Sequence, residues 1–209
     1  MRMKHLLAVV IIATVVAACS SAQYTVVPPA VDLGSLGSLG LVAFEADNVK
    51  GDLGEVTTQY FLQEITAAQR VPVVELGPPD SVLADVGKTA FDRDAILALG
   101  QKQGLEAVFI GEVKVTKVKP QVDLLAPLSK SLFARATMDM SVTARLVSTK
   151  NGATVWTGSI TREGTVGSVG MSGGVPVFSV RDKDEATSDL LRDIMYNMTW
   201  DFRPTRQRL

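Results

Sequence analysis

Two residues with reactive side chains stand out by their rarity: the 209 residues contain one thiol, Cys19, and one imidazole, His5. Cys19 follows a basic start, Met1-Arg2-Met3-Lys4-His5, and an apolar run from Leu6 to Val16 that leads into Val16-Ala17-Ala18-Cys19. That run is eleven residues long, the length of a signal-peptide core and well short of the roughly twenty needed to span a bilayer. Small residues directly before a cysteine, with polar Ser20-Ser21 after it, form a lipobox pattern. The chemistry predicted for Cys19 is therefore cleavage after Ala18 and lipidation of the new amino-terminal residue. An uncleaved anchor, or a plain secretory signal with an incidental cysteine, is the competing reading. Buried methylenes contribute ~0.8 kcal/mol each, so several acyl chains together hold a protein stably at a membrane. Ser20 rather than Asp after the cysteine points, by the sorting pattern of enteric-type bacteria, to the outer membrane, with the chain facing the periplasm.

Losing residues 1–18 leaves 191 residues, enough for one domain with a proper core. Arg2 and Lys4 leave with the leader, which takes the formal net charge from −1 to −3. No basic excess remains for nucleic acid. His5 leaves too, so the mature chain has no histidine base, no Cys–His nucleophile, no Cys/His zinc site and no internal disulfide. Carboxylates are what is left for catalysis, and their spacing is poor. Asp92 and Asp94 point to different faces of a predicted helix. Asp182, Asp184 and Glu185 read as solvated acids at a helix start rather than as metal ligands. Gly164, Gly167, Gly170, Gly173 and Gly174 lack the Gly-Lys-Ser/Thr and the following helix of a phosphate loop. No cofactor or metal is expected.

The elements that follow predict a periplasmic domain on a tether. Residues 19–38, with Pro28-Pro29 and the repeat Gly34-Ser35-Leu36-Gly37-Ser38-Leu39, read as the lipidated end and a flexible linker. Such a linker reaches ~60 Å when extended and ~25 Å as a coil; alternatively, Val26 to Leu33 packs along the domain. Residues 39–209 are expected to form one α+β domain. Strands are predicted at Leu39–Glu45, Val71–Leu76 and Glu106–Lys119, helices at about 52–70, 92–103 and 183–199. The clearest hairpin is Ala136–Ser148, the turn Lys150-Asn151-Gly152 and Ala153–Glu163. The order β-α-β-α-β-β-β-α predicts a mixed sheet with helices packed on it.

Certain motifs in this order resemble a known family. They are Leu41-Val42-Ala43-Phe44, then Gly104 through Val113 (GLEAVFIGEV), then Val142 through Ser148 (VTARLVS), Asn151-Gly152, and Val155-Trp156-Thr157-Gly158. The pattern is similar to the fold shared by the curli-secretion lipoprotein CsgG, the amino-terminal domain of TolB, and envelope lipoproteins that help export polysaccharide or activate cell-wall synthases. The resemblance covers about residues 39–200 and speaks to fold more than to task. It implies a non-catalytic envelope lipoprotein that works through contacts with other envelope proteins. The alternatives are an activator of a cell-wall synthase and, from another class, a carboxylate-dependent glycan hydrolase. In the curli channel, segments equivalent to 117–135 and 165–182 supply membrane-spanning strands. Here surface loops, or a lip against a neighbouring copy, are the expectation, because Pro120 and Pro127 suit a central strand badly and the second segment offers only short alternating runs.

Two stretches are apolar enough to serve as contacts. One is Thr165–Val180, with Val169, Met171, Val177 and Phe178; the other is the tail with Trp200 and Phe202, which otherwise closes the end of the sheet. Trp156 is expected in the core. A homo-oligomer is the expectation these patches carry, built head to tail with every Cys19 facing one membrane.

Overall fold

The structure, a computed structural model, describes residues 24–47, 52–115, 119–122, 134–172, 175–180 and 183–208. Side chains are described for these except at 119–122, 134–136, 166–172, 175–180 and 183–186. Cys19 and the leader, most of 117–135, Gly173, Gly174 and Asp182 lie outside the described residues.

The chain runs β1 (Tyr24–Val27), a 3-10 turn (Leu33–Leu36), β2 (Leu39–Val42), β3 (Glu45–Asp47), α1 (Leu53–Ala68), β4 (Val73–Gly77), α2 (Pro79–Asp85) and α3 (Arg93–Gln103). It continues as β5 (Ala107–Val115), β6 (Lys119–Val122), β7 (Ala134–Ser148), β8 (Thr154–Ser172), β9 (Val175–Val180), α4 (Lys183–Met198), a second 3-10 turn (Thr199–Phe202) and β10 (Thr205–Arg208). Two compact units result, one of Ala30–Arg203 and one containing β1 and β10. In the larger unit the sheet order is β4-β2-β5-β7-β8-β9, with β3 added to β5 and β6 to β7. Strands β4, β2 and β5 are parallel; β5, β7, β8 and β9 are antiparallel. This is the expected mixed α+β sheet with helices packed on it.

Alternation along β5 explains why both faces carry helices. Ala107, Phe109 and Val113 enter a cluster with Phe61 and Ile65 of α1 and Leu191, Ile194 and Met198 of α4. The intervening Val108 and Ile110 meet Val82 of α2 and Ile96 and Leu99 of α3. A strand covered on both faces reads as a continuous apolar run, as AVFI does. In β7 the alternation is one-sided instead: Met138, Met140, Val142, Ala144 and Leu146 are buried in the first cluster.

Local signals set the ends of elements. The Asp92 carboxylate accepts from the Ala95 N–H at 2.8 Å, which caps α3. Gly104, at φ 67°, stops that helix in the left-handed conformation that L side chains resist. The Gly152 N–H bonds back to the Ser148 carbonyl at 2.9 Å, and the Asn151 side chain accepts from the Ala153 N–H at 2.9 Å, closing the β7–β8 turn.

The described part of 117–135, expected as loop, is strand: β6, Pro120 included, pairs with the start of β7. Three further stretches differ from expectation. The β8 strand continues past Glu163 to Ser172 and pairs with β9, so the described part of 165–182 is a hairpin arm and not a surface loop. Its carbonyls and N–H groups find partners across the ladder, which a Gly/Ser-rich sequence read locally does not reveal. Second, α2 occupies part of the stretch between β4 and α3 that shows no clear pattern in the sequence; Pro79 opens it, where a missing N–H costs nothing. Third, residues 31–38, within the expected tether, are folded; for Val31–Leu33 it is the alternative reading, packing along the domain, that holds. Leu33 is fully buried in the main cluster. The Gln69 side chain accepts from the Leu33 N–H at 2.9 Å and donates to the carbonyls of Val31 at 2.7 Å and Phe202 at 3.0 Å.

Candidate functional site

The residues singled out for contact fall into two groups. Val169 and Met171 lie on β8, Val177 and Phe178 on β9. Backbone register sets Val169 opposite Phe178 and Gly170 opposite Val177, while Met171 stands opposite Pro176. By strand alternation the hairpin brings Val169, Phe178 and Met171 to positions on one face, while Val177, opposite Gly170, takes a position on the other. β9 is also the end strand of the sheet, so one of its backbone edges has no partner strand among the described residues. Pro176 fits such an edge, since proline cannot donate to a ladder and is confined within sheets largely to edge strands. An edge of this kind accepts a further strand from another chain. At six residues, β9 is shorter than the ~9–11 of a membrane-spanning strand.

Trp200 and Phe202 part company. Phe202 is fully buried, with its ring 4.7 Å from Trp156 and 5.9 Å from Phe109. It closes the core, and the contact role expected for it does not hold in this fold, because the 3-10 turn points it into the sheet. Trp156, 7% exposed, is in the core as expected and donates its indole N–H to Asp201 at 3.0 Å. Trp200 stays 49% exposed beside Tyr196, also 48% exposed, with ring centroids 6.1 Å apart. Arg203 lies over the Tyr196 ring at 4.1 Å and pairs with Glu64 of α1. This locks the rim of the aromatic pair while leaving its outer surface open.

A third surface is not among the sequence-based candidates. Helices α2 and α3 cover only one end of their side of the sheet. Beyond them β3, β5, β7 and β8 present Glu45 and Asp47, Glu112 and Lys114, Ser141, Thr143 and Arg145, then Ser159 and Thr161. Hydroxyls pair across strands, Thr143 with Ser159 and Thr161 with Ser141, both at 3.1 Å. A shallow depression of about 270 Å³ lies here, lined by Glu45, Phe91, Glu112, Thr143 and Arg145 among others. The Lys114 ammonium, 3.0 Å from the Glu112 carboxylate, is held above the ordinary lysine range by that hydrogen bond and charge, with Asp47 and Glu45 adding to it. The signal for this face is present in the polar alternation of Asp139, Ser141, Thr143 and Arg145, once one asks what covers it.

Chemically, these groups suit recognition better than bond-making. Glu45 and Glu112 are register neighbours on parallel strands and rise from the same face; glycan hydrolysis needs two acids facing each other across a cleft. Asp92 is occupied as a helix cap, and Asp94 lies 3.8 Å from Lys88. Among the described residues, no cluster of acids, His and Cys has the geometry of a metal site.

No family model matches the chain, and no curated protein matches it in sequence. Several solved structures are similar to it. A PelC dodecamer from Paraburkholderia phytofirmans is 16% identical over 87% of this chain and 98% of that one, with a TM-score of 0.47. Lipoprotein GNA1162 from Neisseria meningitidis is 17% identical over 78% of this chain and 98% of that one, at 0.41. The carboxy-terminal domain of LpoB from Salmonella enterica is 11% identical over 61% and 83%, at 0.37. Likenesses at these scores leave the functional argument to the chain's own residues.

Proposed function

We propose that the chain is a non-catalytic lipoprotein of the bacterial envelope, held at a membrane by lipid on Cys19 and acting in assembly or export through protein contacts. The observation that carries this is the amino-terminal pattern: a basic start, an eleven-residue run from Leu6 to Val16 interrupted only by Thr14, Ala17-Ala18-Cys19 and a polar exit. Ser20 favours the outer membrane, facing the periplasm. Two features support work by contact: the apolar positions gathered at the edge hairpin of β8 and β9, and the exposed Tyr196–Trp200 pair. The mature chain's lack of histidine, and of any thiol other than Cys19, supports the non-catalytic part.

Mass spectrometry of the protein extracted from membranes tests the anchor. The expected product begins at Cys19 and carries acyl chains, and Cys19→Ser leaves an uncleaved, unacylated precursor. A mature, unmodified amino terminus on the wild type would overturn the reading.

A further inference from the structure

The smaller unit, the two-stranded ribbon of β1 and β10, has a composition that its own packing does not explain. Antiparallel register puts Tyr24 opposite Arg208 and Val26 opposite Arg206, with Thr25 opposite Gln207 and Val27 opposite Thr205. Directly opposed residues share a face, and alternate residues share it too. One face therefore carries Tyr24, Val26, Arg206 and Arg208, while the other carries Thr25, Val27, Thr205 and Gln207. Tyr24 is 60% exposed and Val26 64% exposed, and both arginines are exposed. The eight residues of the ribbon include two arginines and no acid. A lone two-stranded ribbon is marginal in water, so a face that mixes an aromatic, a β-branched side chain and two cations with no acid across the ladder calls for a cover.

Distance along the chain says what that cover is. Tyr24 follows Cys19 by five residues, a span of at most roughly 18 Å. A lipid on Cys19 keeps the ribbon within reach of the headgroup layer however the rest of the protein turns. We propose that the Tyr24–Val26–Arg206–Arg208 face is a lipid-surface contact that takes the phosphate groups of anionic phospholipids. The inference rests on Cys19 carrying lipid and adds a second, protein-borne attachment to it. Arginine's planar fork of donors matches a phosphate's oxygens. Tyrosine, apolar in its ring and polar at its tip, suits the depth where acyl chains meet headgroups. Basic residues beside a lipid anchor each add to its hold on an anionic surface and fix how the protein is oriented there.

The test uses the full chain, purified from membranes and reconstituted into vesicles of phosphatidylcholine alone or with one quarter phosphatidylglycerol. Amide hydrogen exchange is followed in peptides covering 24–27 and 205–208, with β5 and β7 peptides as controls for the fold. Exchange in the ribbon should slow on the order of tenfold on the anionic vesicles, given the attraction of each arginine to a charged surface. High salt should reverse this, and Arg206→Gln with Arg208→Gln should remove it while leaving β5 and β7 unchanged. Equal ribbon exchange on both vesicles, in protein shown by mass to be acylated, overturns the lipid contact and leaves the lipoprotein reading standing. Protection that follows protein concentration rather than lipid charge overturns it in favour of ribbon pairing between copies. If the ribbon unfolds in the double variant, Arg206→Lys and Arg208→Lys keep the charge: retained lipid-dependent protection supports the contact, and its loss despite an ordered ribbon overturns it. Protein that carries no acyl group fails the anchor itself, and the proposal falls with it.

Discussion

Trp156 of the return strand and Asp201 of the terminal turn meet through one hydrogen bond, indole N–H to carboxylate, at 3.0 Å. It is a single polar contact at the margin of an aromatic run from Phe44 through Phe61 and Phe109 to Trp156 and Phe202, with neighbouring centroids 4.7 to 6.3 Å apart. Asp201→Ala leaves the indole donor unpaired at a site where the ring is largely shielded. The expected cost is about 1–3 kcal/mol, read as a lower urea midpoint with an unchanged slope. Trp156→Phe in the Asp201→Ala background removes the orphaned donor and should cost less beyond the first change than Trp156→Phe alone. Additive losses would mean that the two residues are not coupled.

Gly158 sits under the same ring. A Cβ placed there would lie 2.6 Å from the Trp156 Cζ2 and 3.1 Å from the Met198 side chain. The indole is held by Asp201 and cannot swing aside freely, so Gly158→Ala should destabilise by about 1–3 kcal/mol through overpacking. Near-ultraviolet circular dichroism, which reports the tryptophan environment, should change with it. A variant of unaltered midpoint and spectrum would show that the ring has room to move.

Lys114 provides the pH signature of the open polar face. Its folded value lies above the ordinary lysine range because Glu112 hydrogen-bonds it and Glu112, Asp47 and Glu45 attract its charge. The contribution of this pairing is therefore present at neutral pH and lost as pH rises through the folded-state value. Glu112→Gln should move the Lys114 titration downward, followed by NMR at the lysine side chain. The pair is exposed and screened by salt, so the shift should shrink in high salt. No movement would place the cause elsewhere.

Self-association is the fourth expectation. The ladder sets Val169 opposite Phe178 and Met171 opposite Pro176 on the edge hairpin. Met171→Asp with Phe178→Asp should abolish concentration-dependent growth in light scattering while circular dichroism stays unchanged. A wild-type protein that is monomeric at high concentration, in detergent as well as in water, would favour a single adaptor or a synthase activator over a ring.

Much of the framework is legible in the sequence, for reasons visible in particular residues. The αL stop at Gly104, the cap at Asp92 and the Asn151-Gly152 turn are local chemistry, and local chemistry is written in neighbouring letters. The one-sided alternation of β7, from Met138 to Leu146, and the continuous run of β5 report which strand has one covered face and which has two. The hairpin arm is harder to read, because Gly167, Gly170 and Ser172 are poor strand formers that are held as strand by pairing, Gly167 with both Ala136 and Val180, Gly170 with Val177 and Ser172 with Val175.

The amino-terminal pattern at Cys19, and the confinement of the single histidine to position 5, are properties of composition and order, so the expected anchor at Cys19 is read from the sequence alone. Tertiary structure decided which candidates stay available for contact. Phe202 and Trp200 are two residues apart and equally apolar on paper, yet one is fully buried and the other 49% exposed, because a 3-10 turn sends them in different directions. Gln69 looks like a solvated helix end until Leu33, Val31 and Phe202 arrive around it from both ends of the domain. Burial and partnership of this kind depend on segments more than a hundred residues apart meeting in space, as the 133-residue separation of Gln69 and Phe202 shows, and no local pattern carries that information.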